Sequence, residues 1–333
     1  MEIPLKVLDQ GLYCPPGDFF IDAWRPVSTC IVTHAHGDHA YYGHDLYIAS
    51  EDSLKIMNIR LGDFRSRSLK FGQKIKLKDT WVSLHPAGHI LGSSQIRIET
   101  KNCVTVISGD YKRALDTTCL PLEVIECDIF VTESTFALPI YQWQTNEFIA
   151  NEIKKWWAEN ALNGHPSLIF CYALGKSQRL MSLLADEKEK KVHLHGAIIP
   201  LTRLYNELNI DLIPFAPASE SARNSSFAQD LIIAPPSAMG SPWMKRFPSC
   251  RTASASGWME VRGKRRQRGI DKGFVLSDHA DWNALIQTIE DTKAKIILTT
   301  HGNSETLAKY LKEVKNLDAR ELKGLSSIEE GED

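Results

Sequence analysis

Three imidazoles and a carboxylate fall within six residues, His34-Ala35-His36-Gly37-Asp38-His39. Imidazole nitrogens are borderline ligands and carboxylate oxygens hard ones. The mixture suits zinc, or manganese where oxygen ligands dominate. The stretch directly follows the apolar run Cys30-Ile31-Val32-Thr33, which reads as a strand, and a strand that opens into a loop can aim several side chains into one space. One such loop cannot enclose an ion alone. Three other places offer ligands in the same setting, a strand end beside a glycine: His89 after Pro86-Ala87-Gly88, Asp110 after Ser108-Gly109, and His301 between Thr300 and Gly302.

The elements that must position these residues change character along the chain. To about residue 135 the sequence is β-rich, with β-branched, turn-bounded runs at 29–33, 81–84, 95–98 and 103–107. From Thr145 to Leu162 apolar residues recur at helical spacing. Strand and helix then alternate, with strands over 168–170, 192–194 and 231–233 and a helix over 176–184, which points to a parallel α/β unit. The last sixty residues read strand, helix, strand, helix (273–277, 282–289, 295–300, 304–311) before an acidic tail. The chain has 333 residues, enough for one large domain or two moderate ones. Seven scattered cysteines without a CxxC pair argue against a disulfide framework or an all-cysteine zinc site, and suit reduced thiols in the cytoplasm. No apolar run is long enough for a membrane span, and the N-terminus lacks a signal-peptide pattern. The formal net charge of -2 gives no hint of a polyanion partner at the level of the whole chain.

Taken in order, HxHxDH, Gly-His, Gly-Asp and a late His-Gly resemble the metallo-β-lactamase superfamily. Thr132-Glu133-Ser134-Thr135-Phe136 and Ser277-Asp278-His279-Ala280-Asp281 are similar to the acidic and histidine motifs of its β-CASP branch. Segments 11–14, 24–26, 235–243 and 256–259 are similar to a bacterial subgroup called ligase-associated DNA exonucleases. The resemblance implies an α/β fold: an αββα sandwich with a parallel α/β cap inserted into it. The expected division is 1–139 for the first part of the hydrolase domain, 140–270 for the cap, and 271–333 for the segment completing the sandwich.

The resemblance also implies roles. His34, His36 and His89 would hold one divalent ion, Asp38, His39 and His301 a second, and Asp110 would bridge them. Zinc is the expected metal, with manganese as the alternative. His279 would act as general acid, oriented by Glu133, and Asp22 would brace the ligands from behind. Gly175, Lys176 and Gln178 open a helix after a strand, a setting that suits a phosphate contact. The cationic run 262–268, with Arg262, Lys264 and Arg265, would engage the backbone if it faced the cleft. Trp243 and Trp258 read as packing residues rather than base-stacking ones. The expected activity is nucleic-acid phosphodiester hydrolysis, as a DNA exonuclease in repair alongside an ATP-dependent DNA ligase and a helicase. A ribonuclease of the RNase J or mRNA 3′-end processing type is the runner-up, because His301 is a feature of RNA-processing members. A small-molecule lactonase or thioesterase shares the metal motif, but the cap-sized insert, Glu133 and His279 argue against it. A non-catalytic scaffold is disfavoured because every ligand position is filled.

Overall fold

The structure is a computed structural model that describes residues 2–219, 227–261 and 269–324. The cationic run and the acidic tail therefore lie outside the described residues. The chain divides into two compact units, one of residues 1–142 with 279–330 and one centred on 143–278.

The first unit contains two sheets, with strands numbered along the chain. One has six strands in chain order: β1 (Lys6–Leu8), β2 (Gly11–Cys14), β3 (Phe19–Ile21), β4 (Cys30–Ile31), β5 (Tyr47–Ser50) and β6 (Ser66–Leu69). The other is built from β7 (Ile75–Leu77), β8 (Thr80–Pro86), β9 (Ser94–Glu99), β10 (Val104–Ile107), β11 (Ile129–Glu133), β18 (Ile296–Thr300) and β19 (Asp318–Glu321). Its order is β19-β18-β11-β10-β9-β8-β7. Alternation along these strands sorts their side chains into two layers. Ile129, Val131 and Leu298 point inward, where they meet Leu12, Ile21, Ile31 and Ile48 of the first sheet. Phe130 and Ile297, one residue out of phase, pack outward with Leu285 and Ile289 of α5 (Trp282–Asp291) and Leu307 and Leu311 of α6 (Ser304–Glu313). Against β5 and β6 packs α1 (Glu51–Leu61), capped by Ser50, whose side chain accepts from the Ser53 amide. The layers therefore run helix, sheet, sheet, helix.

The second unit is one all-parallel sheet, ordered β14-β13-β15-β12-β16-β17. Its strands are β12 (Ser167–Phe170), β13 (Val192–Leu194), β14 (Phe215–Pro217), β15 (Leu231–Ala234), β16 (Arg251–Ala255) and β17 (Lys272–Phe274). Its helices are α2 (Asn146–Leu162), α3 (Lys176–Leu183) and α4 (Ile199–Glu207). Every residue of β12 and β15 is buried, as strands covered on both faces require. Residues 271–278 belong to this unit, because β17 extends its sheet by pairing with β16. Thr145 is the cap of α2 rather than its first residue, its hydroxyl accepting from the Phe148 amide. No described helix is long and apolar enough to cross a membrane. All seven cysteines are free thiols.

Candidate metal centre

The residues singled out by spacing converge within the first unit. The His34–His39 loop leaves β4, Asp110 follows β10, Glu133 ends β11 and His301 follows β18. Because β10, β11 and β18 are parallel neighbours, with Glu133 level with Thr300, their carboxyl ends arrive at one edge. Two tight backbones hold the loops together there. Gly109 has φ +55°, and a Cβ on it would stand 2.7 Å from Thr33 Cβ. Gly302 has φ +54°, and a Cβ would stand 2.5 Å from Thr135 Cα. Neither position admits a side chain.

Donor atoms of His34, His36, His89 and Asp110 all lie within 4.8 Å of one another. His36 Nδ1 is 3.1 Å from His34 Nε2 and 3.0 Å from His89 Nε2. Asp110 Oδ2 is 3.4 Å from His34 Nε2 and 3.7 Å from His89 Nε2. The same oxygen is 3.6 Å from His39 Nε2, which is also 3.6 Å from Asp38 Oδ2. Ligands at about 2.1 Å from a tetrahedral ion stand about 3.4 Å apart. The separations among His34, His36, His89 and Asp110 fit that spacing around one centre, and His39 stands beside it between Asp110 and Asp38. His39 Nε2 is buried and makes no hydrogen bond, as a nitrogen reserved for a metal would be. The His301 ring lies 5.4 Å from the His39 ring. Asp22, Asp38, His39 and His301 together line a cavity of about 50 Å³.

A support layer orients these donors. Asp22 Oδ2 takes His39 Nδ1 at 2.8 Å and the Thr33 hydroxyl at 2.6 Å, while Oδ1 takes the Thr33 amide at 2.8 Å. His39 therefore presents Nε2 as its ligand atom. Asp22 and His301 both sit in the left-handed region, at φ +45° and +58°. A residue with a Cβ is strained there, and such strain persists where surroundings over-determine it. Ser134 grips His301 by donating to the Thr300 carbonyl at 2.8 Å and to the His301 carbonyl.

The electrostatics follow from burial. Burial, then the neighbouring His39, His89, His36 and His279, hold His34 well below the ordinary histidine pKa. It is therefore neutral and ligand-ready. Burial, with the neighbouring His39, also lowers the His301 pKa. At His39 burial also opposes the charge, but Asp110, Asp38 and Asp22 outweigh it and raise the pKa well above the ordinary value. Burial, against the pull of His39, pushes Asp110 up to about 8.

Beside the donors lies a second buried pair. His279 Nδ1 is 2.8 Å from Glu133 Oε2, and Glu133 Oε1 accepts from the Tyr111 amide at 2.7 Å. Both side chains are nearly inaccessible, and they approach Asp110 within 4.8 Å. The His279 ring stands 4.6 Å from that of His89.

The other expected contacts lie in the second unit. Gly175 caps α3 at φ +81°, and its amide donates to Gln178 Oε1 at 2.8 Å. Gln178 is fully buried and spends its amide on the Ala173 carbonyl and the Thr202 hydroxyl, both at 3.0 Å. Its side chain closes the helix start. Lys176 is buried with Nζ 3.5 Å from Asp278 Oδ2 and 4.5 Å from the centre of the Tyr172 ring. Trp243 packs edge-on against His195 and Phe247. Arg262, Lys264 and Arg265 are outside the described residues.

Two supports escaped the sequence reading. Thr33, just before the histidine loop, is held by Asp22 and lies 3.1 Å from His34 Nδ1. Only its adjacency to the motif could have marked it. Arg60, on α1, donates to the Ala35 carbonyl at 2.6 Å. Nothing in its spacing pointed to the loop 25 residues earlier.

Similarity to known proteins agrees with this geometry. No protein-family model matches the chain. A probable DNA ligase from Opitutus terrae is 32% identical over 307 residues, 91% of this chain but 30% of the relative. An RNase J-like protein from Methanocaldococcus jannaschii is 23% identical, covering 60% of this chain and 54% of that protein. An endoribonuclease YSH1 from Saccharomyces cerevisiae is 27% identical over 119 residues, 34% of this chain and 15% of the relative. The chain thus spans from about a seventh to about half of these relatives. A solved structure of a protein of unknown function from Enterococcus faecalis V583 superposes with a TM-score of 0.56 at 12% identity, over 81% of this chain and 74% of that one. With the motifs in place on a helix-sheet-sheet-helix frame, the chain belongs to the β-CASP branch of the metallo-β-lactamase superfamily.

Proposed function

We propose that this protein is a metal-dependent phosphodiesterase acting on nucleic acid, a DNA exonuclease working in repair beside an ATP-dependent DNA ligase. The observation that carries the reading is the Asp110 carboxylate oxygen shared between two donor groups, with the buried His279–Glu133 pair alongside. His34, His36 and His89 would hold one divalent ion, and Asp38, His39 and His301 another, with Asp110 between. Bound there, zinc or manganese would supply a water of lowered pKa and positive charge for the phosphate oxygens. Glu133 holds His279 through Nδ1 and so orients the imidazole, whose Nε2 would hand a proton to the leaving oxygen. The first unit is then the hydrolase sandwich and the second the inserted cap. The 262–268 cations would be its nucleic-acid contacts, since Lys176 is buried beside Asp278 and Tyr172.

The likeness to a protein called a probable DNA ligase supports DNA as substrate, and the RNase J-like and endoribonuclease relatives support the RNA-processing runner-up. A side-by-side digestion decides. End-labelled single-stranded DNA and RNA of matched sequence meet the protein with zinc or manganese, with Asp110→Ala as control. Shortening of DNA from an end, lost in the control, is the expected result. Cleavage of RNA alone moves the protein to RNA maturation, and cleavage of neither removes the nuclease reading.

A further inference from the structure

Arg60 stands in the last turn of α1, and its side chain leaves the helix for the histidine loop. Nη1 donates to the carbonyl of Ala35, the residue between His34 and His36. Nη2 lies against the backbone two residues on, where a Cβ on Gly37 would come within 3.2 Å of it. From the other side, the Tyr42 hydroxyl donates to the Arg60 carbonyl at 2.8 Å, so the helix end and the chain after the loop are tied together. Ala35 is completely buried. The loop from His34 to His39 is not a regular element, and within it the backbone bonds run from the His39 and Ala40 amides to the His36 carbonyl. The Ala35 carbonyl is thus fixed by a side chain from another element, and a buried carbonyl without a partner is costly.

We propose that Arg60 is a positioning residue for metal binding. By gripping the Ala35 carbonyl it sets the peptide that joins Ala35 to His36, and so the direction from which His36 approaches His34 and the shared centre. A guanidinium suits this task because it is planar, permanently charged and able to meet two points at once, whereas an ammonium is a single point on a flexible stem. The proposal rests on the reading of the loop as a metal loop.

Cobalt(II) tests it, because its visible spectrum reports ligand geometry independently of turnover. Wild type, R60A and R60K are titrated with Co²⁺, and the thermal unfolding of each metal-free protein is recorded alongside. R60A is expected to bind Co²⁺ about 10–100-fold more weakly, the range seen when a ligand's support is removed, and with an altered visible spectrum. Methylguanidinium should restore both and methylammonium should not. R60K should recover part of the affinity, and it carries the comparison if R60A fails to fold. Wild-type affinity and spectrum in R60A would overturn the inference while leaving the metal site standing. A wild-type protein that takes up no Co²⁺ would overturn the metal reading itself.

Discussion

Asp110 offers one oxygen to three histidines, so a change there cannot be absorbed by one half of the site. Its neighbours divide the work, and their variants should fail in different ways. His279→Ala is expected to keep its metal and lower the turnover rate by about 10²–10⁴, the usual worth of a positioned acid. Metal analysis beside single-turnover kinetics checks both halves of that statement. Asp22→Asn should instead weaken metal binding about 10–100-fold, because the carboxylate that orients His39 is lost. The charge states give a pH dependence of known sign. In the metal-free protein the buried Asp110–His39 pair holds a proton up to about pH 8. A metal must displace that proton, so apparent affinity rises as pH rises towards about 8. Competition with a coloured chelator at several pH values measures it, and a flat profile would contradict the assigned ligand set.

At the scale of elements, the backbone is bent to the needs of the site. His301 holds φ +58° and Asp22 φ +45°, both strained for a residue with a Cβ. Asparagine tolerates that region better. His301→Asn should therefore leave the metal-free protein at least as stable as wild type while diminishing the stabilisation that metal confers, a contrast visible in paired denaturant titrations. Gly109→Ala runs the other way. It introduces a contact at 2.7 Å with Thr33 in a left-handed backbone, and is expected to cost about 1–3 kcal/mol together with metal affinity. The same elements show how far sequence can be read. Strands such as β8, β9 and β10 were legible because alternation persists over enough residues to declare itself, as were α2 and the alternating order of the second unit. The run 29–33 was legible as extended but forms only two residues of strand, since Thr33 turns its amide and hydroxyl to Asp22. Strands of three or four residues such as β1, β3 and β6, and helix α1 with its diluted apolar face, carry too little periodicity to be seen. The candidate donor positions were legible because chemistry restricts the residue types that can serve there. Supports such as Thr33 and Arg60 were not, because many residue types can brace a loop and only the folded chain shows which ones do.

For the whole molecule, metal and fold are thermodynamically linked. Free metal at a hundred times its dissociation constant stabilises the folded state by about 2.7 kcal/mol. For a chain of 333 residues that is a rise of about 4 °C in the unfolding midpoint. Removal by chelation should reverse it, and an equal midpoint with and without metal would count against a resident ion. A different consequence follows from the place of β18 in the sheet. It lies directly beside β11, with Glu133 level with Thr300, although 167 positions separate those two residues in the chain. During translation, then, every ligand up to Asp110 emerges from the ribosome long before the strand that delivers His301. A half-made chain carries the histidine loop but not the complete pocket. The donor set gathered from four separate stretches is thus complete only once the strand that carries His301 has joined β11.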